Sequence, residues 1–256
     1  MAQKLYRLTI SIVLLCCCIY AKSTLAQASR PVDRPRSIEQ ADRVFGEHQV
    51  ILMLYKLPQM REIVEKDDFL WNWAVDQFAG KAANQRIIWS DSATSSPEFV
   101  SEHSIPSLGR PGAIAMNELD EQGNKVSSEK LWYYFTFECF NIAYHKASFQ
   151  IYQDAMEGKL NQEEYIRRYT ELEHKALLKT FDFYKLHFEP YTRNKGINTD
   201  CVMWGSRVPN DYKSWISQYT DRTKYPWSSY GKYFTEVIIP YRIEIDAYNK
   251  QHLRHR

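Results

Sequence analysis

Leu131 to Tyr191 reads LWYYFTFECFNIAYHKASFQIYQDAMEGKLNQEEYIRRYTELEHKALLKTFDFYKLHFEPY, two apolar-periodic runs joined by a short polar turn at Gly158–Asn161. The spacing predicts an αα-hairpin, with helices over about 128–157 and 162–189. Asn161 and Glu164 have the N-cap and N3 spacing of a capping box, so the second helix has a defined start. Gly158 suits the stop of the first helix, and Pro190 is expected to end the second.

At about 100° per residue the first half of the first helix is apolar almost all round. Trp132, Phe137, Phe140, Ala143, Ala147 and Ile151 cover one side, and Phe135, Ile142 and Phe149 another. Such a helix belongs at the centre of a fold. Glu138, Asn141 and His145 nevertheless form one narrow stripe on it, flanked by Tyr134 and Tyr152. A carboxylate there has to be paired, hydrogen-bonded or protonated. On the second helix Tyr165, Ile166, Tyr169, Leu172, Ala176 and Leu177 mark the apolar face. Glu173 lies near the middle of that face, while His174 sits at its margin. Antiparallel packing could therefore gather Glu138, Asn141, His145 and Glu173 into one pocket lined by Tyr134 and Tyr169. The plainer alternative is a hydrogen-bonded core network that fixes helix register.

Phe137-Glu138-Cys139-Phe140-Asn141 has the frame of HExxH, with the Glu kept and both His positions replaced. A strand-like GAIAMNEL precedes it, and Glu173 lies on the next helix. This order of parts resembles a degenerate zincin-like metallopeptidase core, in which the HExxH helix follows a strand and a Glu on the next helix completes the zinc site. The resemblance implies a lost metal site, because Phe137 cannot bind zinc and Asn141 is a poor imidazole substitute. His145 lies seven residues beyond Glu138, roughly 10 Å along the axis, too far to share one ion with it. No cofactor or bound metal is expected.

Upstream, Lys4 and Arg7 precede an apolar run from Leu8 to Ala21, and Ala26-Gln27-Ala28 supplies an A-x-A pattern. Residues 1–28 therefore read as a signal peptide, with 29–37 a flexible leader and 38–256 a single domain. The apolar run is short for a membrane span of about 20 residues, so no span is expected in the mature chain. Cys16, Cys17 and Cys18 invite a lipoprotein reading, but bulky Leu15 precedes them. The expected destination is the periplasm or the extracellular space. Taking Lys4, Arg7 and Lys22 from the 33 basic residues leaves 30 against 31 acidic ones, which argues against nucleic-acid binding. The one basic cluster, Arg242 to Arg256, reads as a solvated end. Two mature cysteines remain, Cys139 and Cys201, which could pair in an oxidising compartment; Cys139 could equally be a plain buried thiol.

Before the hairpin, Ile38 to about Leu57 is helix-like, Pro58 interrupts it, and Asp68 looks like an N-cap for Phe69–Phe78. Arg86–Ser90 and Ala113–Leu119 read as short strands. Between them Asp91 to Gly112, with Pro97, Pro106 and Pro111, reads as a loop or a lid over the site; His103 within it could reach a pocket, though the plainer reading is a solvated loop residue. The expected fold is α+β and predominantly helical, with a small sheet beside the hairpin. After Pro190 regular periodicity fades and aromatic residues crowd between Trp204 and Phe234, before a last helix expected over Tyr233–Asn249 and bent at Pro240. Residues 191–256 are thus an aromatic-rich segment that either pins itself to the core or offers a platform for a sugar or peptide.

Two functions of different kinds follow. One is an exported, non-catalytic binding or structural protein on a zincin-like core. The other is a secreted hydrolase using Glu138 and Glu173 as a carboxylate pair, for instance on a glycan, since glycoside cleavage requires two carboxyl groups about 5 to 9 Å apart. A di-iron reading of Glu171-Leu172-Glu173-His174 fares worse, because only one ExxH motif is visible. The ligand is a protein or a glycan in either case; its identity is not written in the sequence.

Overall fold

The computed structural model describes residues 37–81, 85–90, 100–106 and 110–252. The expected signal peptide and all of the leader but Ser37 lie outside them, as do residues 91–99 and 107–109 of the expected loop. The chain divides into two units, Met1–Ile38 and Glu39–Arg256, of which the second carries everything below.

This unit is a predominantly helical α+β fold. Helix α1 (Ile38–Lys56) gives way at Pro58 to a 3-10 turn, Pro58–Met60, and a single turn, α2 (Arg61–Val64). Helix α3 (Asp68–Phe78) follows, capped by Asp67 rather than Asp68: the Asp67 carboxylate accepts the Leu70 N–H at 2.9 Å. Three short strands come next, β1 (Ile87–Trp89), β2 (Ser101–Ser104) and β3 (Gly112–Met116). They form one sheet in the order β1-β3-β2, parallel between β1 and β3 and antiparallel between β2 and β3.

Strand β2 overturns the reading of 91–112 as a loop throughout. Its sequence, Ser-Glu-His-Ser, has no apolar face of its own, so alternation could not announce it. Pairing makes it a strand: His103 stands opposite Ile114, and Ser101 opposite Met116. Successive strand side chains alternate between faces, which puts Ser101 and His103 on the same side of the sheet.

The hairpin is built as its caps predict. Ser127 opens α4 (Ser128–Ala143) by accepting the Lys130 N–H at 3.2 Å. The helix breaks once, at Tyr144, whose φ of −88° and ψ of 10° leave the helical region, and resumes as α5 (His145–Met156). Gly158 then turns the chain at φ 80°, a conformation that suits glycine. Asn161 caps α6 (Gln162–Phe183) by accepting the Glu164 N–H at 2.9 Å. The reciprocal half of the capping box is not made; the Glu164 carboxylate instead binds Arg167 and Arg168.

Pro190 does not end this second helix. A π-turn over Tyr184–Phe188 follows α6 directly, and α7 (Glu189–Asn194) carries the helical path onward with Pro190 near its start. Proline lacks an N–H and its ring collides with the carbonyl four residues back, but a widened turn moves that carbonyl aside. The same device recurs where α9 (Trp227–Tyr233) meets a π-turn at Phe234–Ile238 and continues as α10 (Ile239–His252) past Pro240. Between them lies one more short helix, α8 (Tyr212–Ile216), opened by Asp211. The segment after Pro190 is thus more helical than its periodicity suggested.

Two apolar clusters hold the unit together. The larger joins α1, α3 and the sheet to α4 through Trp132, Phe135 and Ile142, and includes Tyr184, Phe188 and Trp204. The smaller joins α5, α6 and the second π-turn through Ile151, Tyr165, Phe234 and Ile238. Each π-turn contributes its first and last residue to a cluster. Trp132, Trp204 and Phe135 are fully buried, and each large apolar side chain so placed is worth about 1.5 to 3 kcal/mol. No helix among the described residues is long and apolar enough to cross a membrane.

Candidate functional site

Glu138 lies on the face of α4 that meets the edge strand β2. Its carboxylate accepts the Ser101 hydroxyl at 2.6 Å and lies 2.6 Å from Nδ1 of His103, the two residues that the pleat of β2 directs to one side. The Asn141 amide, one helical turn along, donates to it at 3.4 Å. The side chain is 6% exposed. Burial pushes its pKa up, but the charge and hydrogen bond of His103, with Ser101 and Asn141, outweigh this and hold it below the ordinary carboxylate value. His103 moves the other way. Burial favours its neutral form, yet the hydrogen bond and charge of Glu138, with Glu173 beyond, raise it above the ordinary imidazole value. The pair is therefore an ionised carboxylate against a readily protonated imidazole, and the His103 side chain keeps 28% exposure.

Glu173, on α6, is held by a different part of the chain. The hydroxyls of Tyr225 and Tyr230, at and just before α9, both donate to its carboxyl group. Burial is the largest influence and raises its pKa; the two tyrosines and the His103 charge only partly offset that, and the Glu138 charge adds to the rise. Glu138 and Glu173 thus sit within electrostatic reach of each other, with their ionisation pushed in opposite directions. Tyr225 and Tyr230 are forced upward as acids, by burial first and then by the Glu173 charge, so both remain hydroxyl donors.

Of the other residues expected at a pocket, Asn141 joins the centre directly. Tyr134 borders it: burial, then the Glu138 charge, raises its pKa. Tyr169 takes part at one remove, stacking on Tyr230 at 5.2 Å between ring centres while its hydroxyl binds the Ser148 carbonyl. His145 does not join. The break at Tyr144 intervenes, and the His145 Nδ1–H is directed back to the Ile142 carbonyl at 3.1 Å. His174 is not marginal; it is buried, donates from Nε2 to the Pro209 carbonyl at 2.7 Å and stacks on Trp215.

Of the two readings open for Cys139, a disulfide to Cys201 or a plain buried thiol, the structure has the second. Both thiols are free: Cys139 is buried in α4 and Cys201 is exposed in the turn after α7. Trp204 takes the inward position of that turn, donating its indole N–H to Glu129 at 2.8 Å, while the Asp200 N–H binds the same carboxylate at 3.0 Å. Burial also pushes the Cys139 thiol well up, which suppresses its thiolate.

Ser101, Tyr225 and Tyr230 belong to the centre without having been singled out by the sequence, and His103 joins it from the loop position that could reach a pocket. Ser101, His103, Tyr225 and Tyr230 lie 37, 35, 52 and 57 residues from the carboxylates they touch. The aromatic crowding after Trp204 was a signal for the tyrosines, and a histidine in a loop that could cover the site was one for His103; nothing local marked Ser101. A zinc ion does not fit this donor set. Phe137 offers no ligand, the Asn141 amide is turned to Glu138, and among the described residues no three His, Cys, Asp or Glu are grouped to hold an ion. Comparisons with protein-family models, curated proteins and solved structures find no match for this chain.

Proposed function

We propose that this chain is an exported, non-catalytic binding domain, built on a zincin-like frame whose polar centre has become an internal tie. One observation carries the reading. Glu138 accepts from Ser101, His103 and Asn141, and Glu173 from Tyr225 and Tyr230, so both carboxylates are engaged by the chain's own side chains. The tie joins the sheet edge, both hairpin helices and the C-terminal segment. A satisfied buried network of this kind rigidifies and specifies a fold. The deciding experiment is metal content by mass spectrometry and peptide cleavage, for the wild-type chain and Glu138→Ala in parallel. Substoichiometric zinc in both, and no cleavage that depends on Glu138, is the expected result. Stoichiometric zinc lost in the variant, or Glu138-dependent cleavage, overturns the proposal.

The exposure of His103 favours a second reading. Glu138 is sealed, so the hydrolase with two free carboxylates is poorly supported. A carboxylate on Nδ1 of a part-exposed imidazole is, however, the arrangement that orients a general base. In that version His103 moves the proton and Glu138 positions it. Turnover of a glycan or peptide that His103→Gln abolishes would select this reading; the absence of turnover leaves the internal tie ahead.

A further inference from the structure

Beside the polar centre lies a cavity of about 240 Å³ that the tie itself does not use. We infer that it is a binding site for a small apolar carboxylate: a hydrocarbon or aromatic body ending in a carboxylate group. The inference gives a ligand class to the binding role proposed above and rests on that role.

Leu177 of α6, Met203 and Val208 of the turn after α7, and Trp215 of α8 supply the apolar part of a mixed lining that Arg207 and Gln218 complete with polar groups. These walls are fixed before any ligand arrives. Trp215 stacks on His174 at 5.1 Å, and the Met203 N–H is tied to Asp200 at 3.3 Å. Gly205 turns the chain at φ 96°, so close to Val208 that a Cβ there would lie 3.3 Å from it. Preformed walls spare a ligand the cost of ordering them.

Charge decides the ligand's polar end. Arg207 borders the cavity, is exposed, and among the described residues has no acidic partner. A guanidinium presents a planar fork of donors that matches a carboxylate. Tyr133 and Tyr219 also line the cavity and lie within electrostatic reach of Glu138 and Glu173 respectively. An anionic group is therefore favoured against Arg207 and disfavoured against the two tyrosines. At about 30 Å³ of liquid volume per water molecule, the space holds roughly eight such groups, the size of a phenylpropyl or branched aliphatic body.

Two sources carry this chemistry: a free acid, or the C-terminal residue of a peptide. The test is calorimetric titration with 3-phenylpropionate, its neutral amide, acetyl-Ala-Ala-Phe and the corresponding C-terminal amide. Both acids are expected to bind in about the millimolar range, as ligand efficiency allows for a body this small. Each amide should bind at least about tenfold more weakly. Arg207→Gln, at an exposed position, should bring the acids down to the level of their amides and leave the amides unchanged. Tighter binding of the peptide names a chain terminus as the source; tighter binding of phenylpropionate names a free acid. Equal binding of acids and amides, no effect of Arg207→Gln, or no saturable binding by either acid would each overturn the inference. A failure here leaves the zinc and cleavage assays untouched, so the two proposals fall separately.

Discussion

Removing Glu138 tests the internal tie most directly. In Glu138→Ala, the Ser101 hydroxyl and His103 Nδ1 each lose a partner that stood at 2.6 Å, while the 3.4 Å contact from Asn141 is long enough to matter little. A hydrogen bond to a charged group contributes about 1.5 to 3 kcal/mol. Two of them set a ceiling near 6 kcal/mol, but His103 is 28% exposed and regains water, so about 2 to 4 kcal/mol is the expected loss. Urea unfolding reads this as a fall in midpoint of about 1 M or more, at slopes of about 1 to 3 kcal/mol per M. Glu138→Gln keeps the shape and one acceptor and should lose about half as much.

The pH profile separates a lost ion pair from a mere cavity. The raised His103 pKa stabilises the fold fully below its unfolded value of 6.5, and this stabilisation fades as pH rises through the folded value. The lowered Glu138 pKa stabilises the fold above its unfolded value of 4.5 and fades as pH falls through the folded value. The pair therefore contributes most between these two values, and wild-type stability declines above pH 6.5. In Glu138→Gln the chief partner that raises His103 is gone, burial dominates, and the slope above pH 6 should flatten or reverse. A Glu138→Ala chain within about 0.5 kcal/mol of wild type, with the wild-type slope intact, would refute the tie.

Three further outcomes follow from the same geometry. Because burial raises the Glu173 pKa, its contribution is fully present below the unfolded value of 4.5 and is lost as pH rises through the folded value; Glu173→Gln should cost under about 1 kcal/mol at pH 7 and erase that slope in a denaturation series. Tyr230→Phe keeps the 5.2 Å stack on Tyr169 but deletes one donor to Glu173, so chemical denaturation should register a loss of about 1 to 2 kcal/mol. In a chain starting at Ser29, a maleimide should label Cys201 alone while the protein is folded and both cysteines once it is unfolded; mass spectrometry finding Cys139 labelled in the folded state contradicts its burial.

What the sequence determined by itself is what local chemistry determines. Helix periodicity, the Asn161 cap and the turn at Gly158 depend on residues within about four positions of one another, and they specify the hairpin without help from the rest of the chain. The angular stripe of Glu138 and Asn141, and the placement of Glu173 on the inner face of its helix, follow from the same short-range geometry. Tertiary structure decided what those carboxylates meet. Ser-Glu-His-Ser carries no strand pattern, and only pairing with Gly112–Met116 makes it an edge whose pleat turns Ser101 and His103 together toward Glu138. Pro190 reads as a stop and Pro240 as a bend because a proline breaks a regular α-helix; a π-turn before each, anchored by residues buried in the two apolar clusters, carries the chain past them. Tyr230 lies on the helix that leads into the second of these turns and reaches Glu173, 57 residues away, a distance across which no local pattern can speak.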